Sequence, residues 1–429
     1  MRNTHNEKAH FKPESIDIPR YSSVYGLPPN AMVFSQSERK EAWCNKKWWF
    51  RYANLLKDNL HIMHPFVFGS CFHAVMEDIH TFWMITDGEA YNRDRLYRFD
   101  GPVNAIREHL FSEYGRTEEA EEILSRVCIA CEGYLERWGT KPPDRFRIIG
   151  VEEEMCFPII SDAGRAYRSM QYLYNEGDYW RLAVGGDHPS RVSKHLMPWY
   201  HIGKADFIAQ DKKTGNLYIG EMKTSGNPVS FIKNLELDSQ IHAYTKCLQF
   251  AVKRGWLKDN KFAEDKPDAR VSGYIYDISY SGKQVSPKRL KNGQLSRDSR
   301  ARVTSWSFMK ALDELGLERE PYEEHISSLA SRVDRAFYLR EWGFTDAFGI
   351  ISFTNEIYTV ARKLSELRKN SYHCTEPEMV DRNFVRTHLC RARMYCPYTS
   401  QCATDYSSMD TSGFTITDQP RWLKNKEKK

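Results

Sequence analysis

Residues 199–225 read WYHIGKADFIAQDKKTGNLYIGEMKTS, two short apolar segments joined by a polar turn. β-Branched and aromatic residues favour strands in both segments, and the turn at 211–216 contains the glycine typical of a hairpin. Because alternate residues of a strand point to the same face, Glu221 and Lys223 are predicted to project together. The paired strand brings Asp206 beside them, so the sequence predicts two acids and one ammonium group on one face of a sheet.

This combination of charges suits a divalent cation that takes part in phosphate chemistry. Carboxylate oxygens are the ligands that Mg²⁺ and Mn²⁺ prefer, and a nearby lysine can orient a water molecule or stabilise negative charge. The Glu-x-Lys pattern alone is not specific, because it also begins at Glu38, Glu264 and Glu427. Only the copy at Glu221 directly follows a strand that carries an aspartate. The alternative interpretation is a hairpin with an exposed charge pair.

Residues on either side of the hairpin extend this candidate site. The helical segment that follows it places Gln240 and Tyr244 one turn apart on one face, either flanking the site or as ordinary helix surface. Upstream, Gly69 and His73 lie at the start of another helical segment, where the histidine is either a nitrogen ligand or structural. The acidic run at 152–154, in an earlier strand, adds further carboxylates.

In this order, Gly-x-x-x-His, Gly-x-x-Asp, Glu-x-Lys and Gln-x-x-x-Tyr between about residues 69 and 280 resemble the RecB-type branch of the PD-(D/E)XK nuclease superfamily. The resemblance implies an α/β fold, in which a mixed central β-sheet flanked by helices forms a restriction-endonuclease-like core with helical N-terminal and C-terminal additions. It implies Mg²⁺ or Mn²⁺ as cofactor. One departure from the superfamily's motif is Ala205, which stands where the superfamily's name has proline. The implied metal ligands are His73, Asp206 and Glu221, and the implied catalytic set is Asp206, Glu221, Lys223, Gln240 and Tyr244.

The ten cysteines include a cluster near the C-terminus. The N-terminus has no apolar leader, so we expect a reducing, cytoplasmic environment, in which clustered cysteines favour metal binding over disulfides. Zinc and an iron–sulfur cluster are both open on residue type. Cys44 with Cys390, Cys396 and Cys402 resembles the iron–sulfur staple of AddB-type and CRISPR-associated adaptation nucleases, which implies a structural [4Fe–4S] cluster. The longer spacing between Cys390 and Cys396 departs from that staple. It leaves zinc, a replacement by Cys374, or three unlinked thiols as alternatives.

Net charge is only +5, so any surface for a polyanion must be local. Residues 283–302 hold seven basic residues and one acid, and a loop that binds phosphates is the functional interpretation. A solvated surface loop is the alternative. The segment also resembles a Pro-Lys-x-Leu-Lys-x-Gly-x-Leu-Ser stretch in phage-encoded members of the same nuclease family. The predicted DNA contacts are Lys288, Arg289, Lys291, Arg297 and Arg300.

Together these features predict a metal-dependent deoxyribonuclease, expected to be an exonuclease acting on single- or double-stranded DNA ends in recombination, repair or phage DNA processing. The rival is a catalytically inactive DNA-binding or recombination partner that keeps the fold. No Gly-x-x-x-x-Gly-Lys-Ser/Thr loop is present, so a helicase would be a separate partner. No membrane role is expected, because no apolar run reaches the roughly 18 residues of a membrane helix. The predicted segments are a tail (1–30), a helical region with the first cluster cysteine (31–145), the nuclease core (146–280), a basic loop with helices (281–373) and a cysteine-rich C-terminus (374–429).

Overall fold

The computed structural model describes most of the chain, in two compact units. The described residues are 27, 31–53, 56–58, 64–161, 164–176, 179–182, 192–233, 235, 238–263, 269–298, 302–372, 384, 396, 398–399, 402 and 414–416. The first unit takes its described residues from 1–61, 154–203 and 347–429, and the second from 62–153 and 204–346. Apart from residue 27, the tail predicted for 1–30 lies outside the described residues.

The described parts of the chain contain both helices and strands, and the five strands from residue 146 to residue 225 follow one another without a helix between them. The strands there are β1 (Met32–Ser35), β2 (Leu56–Asp58), β3 (Phe146–Pro158), β4 (Arg168–Glu176), β5 (Tyr179–Leu182), β6 (Val192–Asp211), β7 (Leu217–Ser225), β8 (Val271–Tyr280), β9 (Tyr338–Phe344) and β10 (Phe414–Ile416). The α-helices there are α1 (Gln36–Glu41), α2 (Asn45–Trp48), α3 (His64–Ile85), α4 (Pro102–Tyr114), α5 (Glu118–Trp138), α6 (Pro228–Ile232), α7 (Ser239–Lys253), α8 (Trp256–Asp259), α9 (Ser305–Glu314), α10 (Glu323–Leu329), α11 (Arg335–Phe337) and α12 (Ala347–Tyr372). None of these described helices combines the length and apolar character that crossing a membrane requires.

The second unit is built on a mixed sheet. The last part of β6 is antiparallel to β7, β7 is parallel to β8, and β8 is antiparallel to β9. Asp211 closes the turn between β6 and β7, because its Oδ1 accepts the backbone N–H groups of Lys213 and Thr214 at 2.9 Å each. Gly215 supplies the positive φ, 75°, that the turn needs. This mixed sheet with its flanking helices confirms the predicted fold class.

Apolar side chains on one face of this sheet pack against α3 and α5. Phe207, Met222 and Ile275 lie in one buried cluster with residues of both helices, such as Phe72 and Tyr134. Burial of this apolar surface holds the sheet and the two helices together. Since strand residues alternate, the neighbours of these apolar residues in β6 and β7 point to the opposite face.

A buried ion pair ties β9 to β8. Arg340 donates from Nε to Asp277 Oδ1 at 2.5 Å and from Nη2 to Oδ2 at 2.6 Å. Asp277 is only 1% exposed and also accepts the hydroxyl of Tyr134. Sliding β9 by one residue would leave the buried charge of Asp277 without Arg340, so the pair specifies the register of the two strands.

The first unit contains the other part of β6. Residues 192–198 are antiparallel to β4, and residues 199–202 are parallel to β1. Helix α12 packs on β4 and carries the fully buried Arg368, whose Nη2 donates to Glu38 and to the backbone oxygen of Val33. Strands β2 and β10 form a separate antiparallel pair. Segments distant in the sequence therefore meet within this unit.

One element differs from the sequence-based expectation. The residue pattern predicts helix throughout 304–370, and this is wrong over Tyr338–Phe344, which form β9. The strand is held by pairing with β8 and by the contact of Arg340 with Asp277, which lies 63 residues earlier. A local pattern does not display such a tertiary contact. The finer division of the chain at residues 145, 280 and 373 stays a prediction.

Candidate active site

Asp206 and Glu221 lie opposite each other on β6 and β7. The register pairs Phe207 with Gly220. Because the strands are antiparallel, one step back along β6 and one step forward along β7 places Asp206 across from Glu221. Gly220 is required here, because a Cβ atom at this position would overlap the ring of Phe207. The glycine lets the apolar side of the hairpin pack closely while both acids occupy its other side.

Glu221 is a buried carboxylate that is held through one of its two oxygens. Its Oε1 accepts from Gln240 Nε2 at 2.7 Å and from the Lys223 ammonium, and Lys223 also donates to Gln240 Oε1 at 3.4 Å. Gln240 Nε2 lies 3.0 Å from the hydroxyl oxygen of Tyr244. The second carboxylate oxygen, Oε2, is buried and has no hydrogen-bond partner. Four of the predicted site residues thus form one contact network.

Asp206 is held by the strand opposite and by α3. The backbone N–H of Met222 donates to Asp206 Oδ2 at 2.6 Å, and His73 Nδ1 lies 3.5 Å from Oδ1. One turn before His73, Gly69 brings α3 close to the end of β7, since a Cβ atom there would lie 3.1 Å from Thr224 Oγ1. The absence of a side chain at Gly69 therefore helps His73 to reach the site.

Burial sets the charges in this network. Burial, and then the negative charge of Asp206, raises the pKa of Glu221 to about 8. Burial also acts against the charged form of Asp206, yet His73 and Lys223 outweigh it and lower the pKa of Asp206. Burial likewise opposes charge on His73 and Lys223, but the two acids raise the pKa of each. Without a cation, the site at neutral pH holds a charged Asp206 and a charged Lys223 beside a mostly protonated Glu221.

The donor set fits a divalent cation in its chemistry. Among the described residues, no group of three or more His, Cys, Asp or Glu side chains is placed to hold a metal ion. Two facing carboxylates are nevertheless the oxygen donors that Mg²⁺ and Mn²⁺ prefer, and Glu221 Oε2 is a buried oxygen without a partner. The repulsion from Asp206 that raises the pKa of Glu221 is what a bound cation relieves. Asp206 and Glu221, with His73 alongside, are the residues that would hold such an ion.

Glu152, one of the additional carboxylates, lies near Asp206 but is engaged by a lysine. Its ammonium partner is Lys204, two residues before Asp206 on β6. Burial raises the pKa of Glu152, and the negative charges of Asp206 and Glu77 add to this effect. Its backbone φ of 53° is unusual for a residue within a strand.

Two residues of this network were not found from the sequence. Asp238 precedes α7 and accepts the backbone N–H of Gln240 at 2.9 Å, so it caps the helix. The hydroxyl of Tyr276, on β8, donates to the other oxygen of Asp238 at 2.8 Å. An aspartate just before a helical segment is a recognisable cap signal, whereas nothing local marks Tyr276.

The cysteines predicted to bind a cluster belong to the first unit. Cys44 is buried and lies just before α2, and Cys396 and Cys402 are partly exposed. The ring of Phe50 stacks on Tyr398 with 5.3 Å between centroids, which brings the segment after Cys44 to the segment between the two C-terminal cysteines. Cys390 and its possible substitute at position 374 lie outside the described residues.

The basic loop belongs to the second unit, and backbone hydrogen bonds give it a defined shape. Lys288, Arg289 and Lys291 are exposed, and a turn bonds the backbone of Leu290 to that of Gln294. Arg297 is engaged within the protein, since it donates to the backbone oxygen of Pro321 at 2.6 Å and lies over the ring of Tyr322. Arg300 lies outside the described residues. Four of the five residues predicted to bind DNA are thus exposed, and three of them, Lys288, Arg289 and Lys291, lie close together on one short loop.

The raised pKa of Glu221 predicts a pH-dependent stability in metal-free protein. A shift from 4.5 to about 8 means that folding favours the protonated acid. Its contribution to stability is therefore full at low pH, declines progressively above about pH 4.5, and is lost once the pH has risen through about 8. We expect the free energy of unfolding to decline by up to about 1.4 kcal/mol per pH unit between about pH 5.5 and about pH 7.5. Urea unfolding in a chelator measures this slope.

Glu221→Gln is the control for this prediction, because an amide at position 221 does not titrate. His73, whose pKa is also raised, contributes a decline of the same sign in both proteins, so the difference between the two slopes isolates Glu221. Equal slopes would contradict the prediction.

Comparison with known protein families agrees with this geometry. A model described as the PD-(D/E)XK nuclease superfamily matches residues 35–341, which is more than half of the chain and includes the whole of the network around Glu221. The match ends before the C-terminal cysteines. No curated protein matches the sequence. Members of the superfamily are generally nucleases, with DNA as substrate and divalent metals such as Mg²⁺ or Mn²⁺ as cofactors. The chain belongs to the PD-(D/E)XK nuclease superfamily.

Proposed function

We propose that this protein is a Mg²⁺- or Mn²⁺-dependent deoxyribonuclease that hydrolyses phosphodiester bonds at Asp206, Glu221 and Lys223. The observation that carries the proposal is the convergence of these three side chains on the β6–β7 hairpin, with one oxygen of the buried Glu221 lacking a partner. Membership of the superfamily supports the proposal, because its members are generally nucleases.

Lys223 acts as a donor in this proposal. Asp206 and Glu221 would hold a divalent cation, and the chemistry that such an ion would supply is positive charge beside the phosphate. Despite burial, the two acids raise the pKa of Lys223, so it stays an ammonium group. An ammonium cannot accept a proton, so Lys223 orients the attacking water or the phosphate oxygen and does not serve as the base.

Gln240, Tyr244 and His73 act mainly on the two acids. Gln240 holds Glu221 Oε1 and is itself in contact with Tyr244, which leaves Glu221 Oε2 available to a cation. His73 completes the ligand set, because it lies beside Asp206 and 31% of its side chain is exposed. A partly exposed imidazole can turn from the acid to a metal that enters the site.

Within the superfamily we place the protein in the RecB-like branch, as a cytoplasmic exonuclease that acts on single- or double-stranded DNA ends. Recombination, repair or phage DNA processing is the proposed setting, with a helicase or recombination protein as a separate partner. The order of the four motifs supports this branch, and the basic stretch at 283–302 supports the phage type. The alternative is an inactive DNA-binding protein that keeps the fold. The intact network of Asp206, Glu221 and Lys223 argues against that alternative.

Glu221→Gln and Lys223→Met test the catalytic proposal. Each removes a charge from the hairpin, so we expect Mg²⁺- or Mn²⁺-dependent cleavage of end-labelled DNA to fall at least about a hundredfold. DNA affinity measured in a chelator should change little, because neither group is exposed on the basic loop. Timed digestion of single- and double-stranded substrates measures the rate and the strand preference together.

Lys213→Met is the matched control. This exposed lysine lies in the turn of the same hairpin, at the end distant from Asp206, and its loss should leave the cleavage rate unchanged. Cleavage at the wild-type rate by Glu221→Gln would refute the assignment. Binding of DNA without any cleavage by the wild-type protein would favour the inactive alternative.

We propose that the exposed basic loop binds the DNA backbone, and its salt dependence tests this role. Removing one side chain that neutralises a phosphate should lower the slope of log affinity against log salt by about 0.9. A combined Lys288→Gln, Arg289→Gln and Lys291→Gln variant should therefore lower the slope by about 2 to 3. Fluorescence anisotropy with labelled duplex in a chelator measures it. A Lys212→Gln and Lys213→Gln variant, which removes two exposed positive charges from another turn, is the control, and a slope equal to that of this control would exclude the loop.

We also propose a [4Fe–4S] cluster in the first unit, with Zn²⁺ as the alternative occupant. The proposed ligands are Cys44, Cys390, Cys396 and Cys402. The stacking of Phe50 on Tyr398 supports it, since this contact joins the two parts of the chain that carry the ligands.

Protein purified without oxygen should contain about four iron atoms with acid-labile sulfide, and Cys44→Ser should lose them. Cys247→Ser, in the second unit, should retain them. Stoichiometric zinc without iron would decide for the alternative.

A further inference from the structure

Asp238 sets the position at which α7 begins. Its Oδ1 accepts the backbone N–H of Gln240 at 2.9 Å and so caps the helix. Its Oδ2 accepts the hydroxyl of Tyr276 at 2.8 Å. A helix cap needs only one acceptor atom, so the second bond requires an explanation of its own.

Tyr276 connects this cap to the strand beside Glu221. The tyrosine is fully buried and lies opposite Glu221 in the parallel register of β7 and β8. Glu221 in turn accepts from Gln240 Nε2 at 2.7 Å, and Gln240 is held by the cap. Hydrogen bonds therefore link Glu221 to Gln240, Gln240 to Asp238, and Asp238 to Tyr276. The pairing of Tyr276 with Glu221 across β7 and β8 closes these contacts into a ring. Moving the first turn of α7 along or around its axis would break a bond in this ring.

The ring matters because the Gln240 amide has to be oriented. Its Nε2 faces Glu221 Oε1, and its Oε1 accepts from Lys223 at 3.4 Å. When Glu221 is ionised, as it would be around a bound cation, turning the amide over would place two acceptor oxygens, one from Gln240 and one from Glu221, against each other. The observed orientation keeps Glu221 Oε1 occupied and leaves Oε2 unbonded.

We infer that Asp238 and Tyr276 are positioning residues that hold the Gln240 amide against Glu221, and that DNA cleavage depends on this hold. The inference rests on the proposed nuclease function and extends the site to two residues beyond the superfamily's motifs. Both act through Gln240. A cap that served only the helix would use Oδ1 alone, whereas positioning uses both oxygens of Asp238.

Two variants separate positioning from capping. Tyr276→Phe removes only the hydroxyl. Asp238→Ser keeps a good cap acceptor but is too short to meet Tyr276. We expect each to lower kcat for Mg²⁺-dependent cleavage about tenfold, as the loss of an outer partner of a metal-site residue does, with little change in KM. Wild-type kcat in both variants would overturn the inference.

A double-mutant cycle tests whether the effect passes through Gln240. In a Gln240→Ala background, Tyr276→Phe should cause no further loss of kcat, and a fully additive loss would overturn the inference. Tyr280→Phe is the matched control. It removes a buried hydroxyl from the same strand, but that hydroxyl bonds to Arg302, so kcat should be unchanged.

A measurement without cleavage separates this inference from the nuclease proposal. The side-chain amide resonances of Gln240, assigned by their absence in Gln240→Ala, should shift in Tyr276→Phe and Asp238→Ser but not in Tyr280→Phe. Unshifted resonances would overturn the positioning role whether or not the protein cleaves DNA. Shifted resonances in a protein that never cleaves DNA would retain the positioning of Gln240 and reject the nuclease proposal alone.

Discussion

Asp206 and Glu221 face each other on neighbouring strands, with Glu221 buried and Asp206 partly buried, and two negative charges placed in this way repel each other. The two acids differ in their hydrogen-bond donors and in the direction of their pKa shifts. Asp206 receives a backbone N–H and the imidazole of His73, and its pKa is lowered. Glu221 receives both of its donors on one oxygen, and its pKa is raised to about 8. The unequal response leaves a single unbonded oxygen, which is the feature most suited to a cation.

The geometry of such a site depends on residues that do not themselves take part in the chemistry. A polar group left without its partner in a buried network costs more than the network gains from any one bond, so each donor has to be held in place. Gly220 accommodates the Phe207 ring behind the acids, and Gly69 lets α3 approach β7. Asp238 performs the corresponding task for α7. The apolar cluster on the opposite face then fixes the strands that carry the acids.

Much of this arrangement could be predicted from the sequence, because it depends on local rules. Strand alternation placed Glu221 and Lys223 on one face, and the turn chemistry at Asp211 and Gly215 joined the two strands in the expected way. Helical spacing put Gln240 and Tyr244 together. What a single sequence does not contain is the partner across space. Tyr276 has no local signal, and neither β9 nor the attachment of Arg297 to Pro321 could be read from its own segment.

The first unit poses a separate physical problem, which bears on what a cluster there would do. Bringing the segment after Cys44 to the segment around Cys402 closes a loop of several hundred residues, and the entropy cost of closure grows only slowly with length. Several contacts in the described residues already oppose that cost. Phe50 stacks on Tyr398, and Trp49 lies 4.5 Å from the ring centre of Phe384. The β2–β10 pair adds backbone hydrogen bonds between the same two parts of the chain. A metal centre at this position would therefore reinforce a contact that side chains and strands form by themselves, which favours a stabilising role over a redox one.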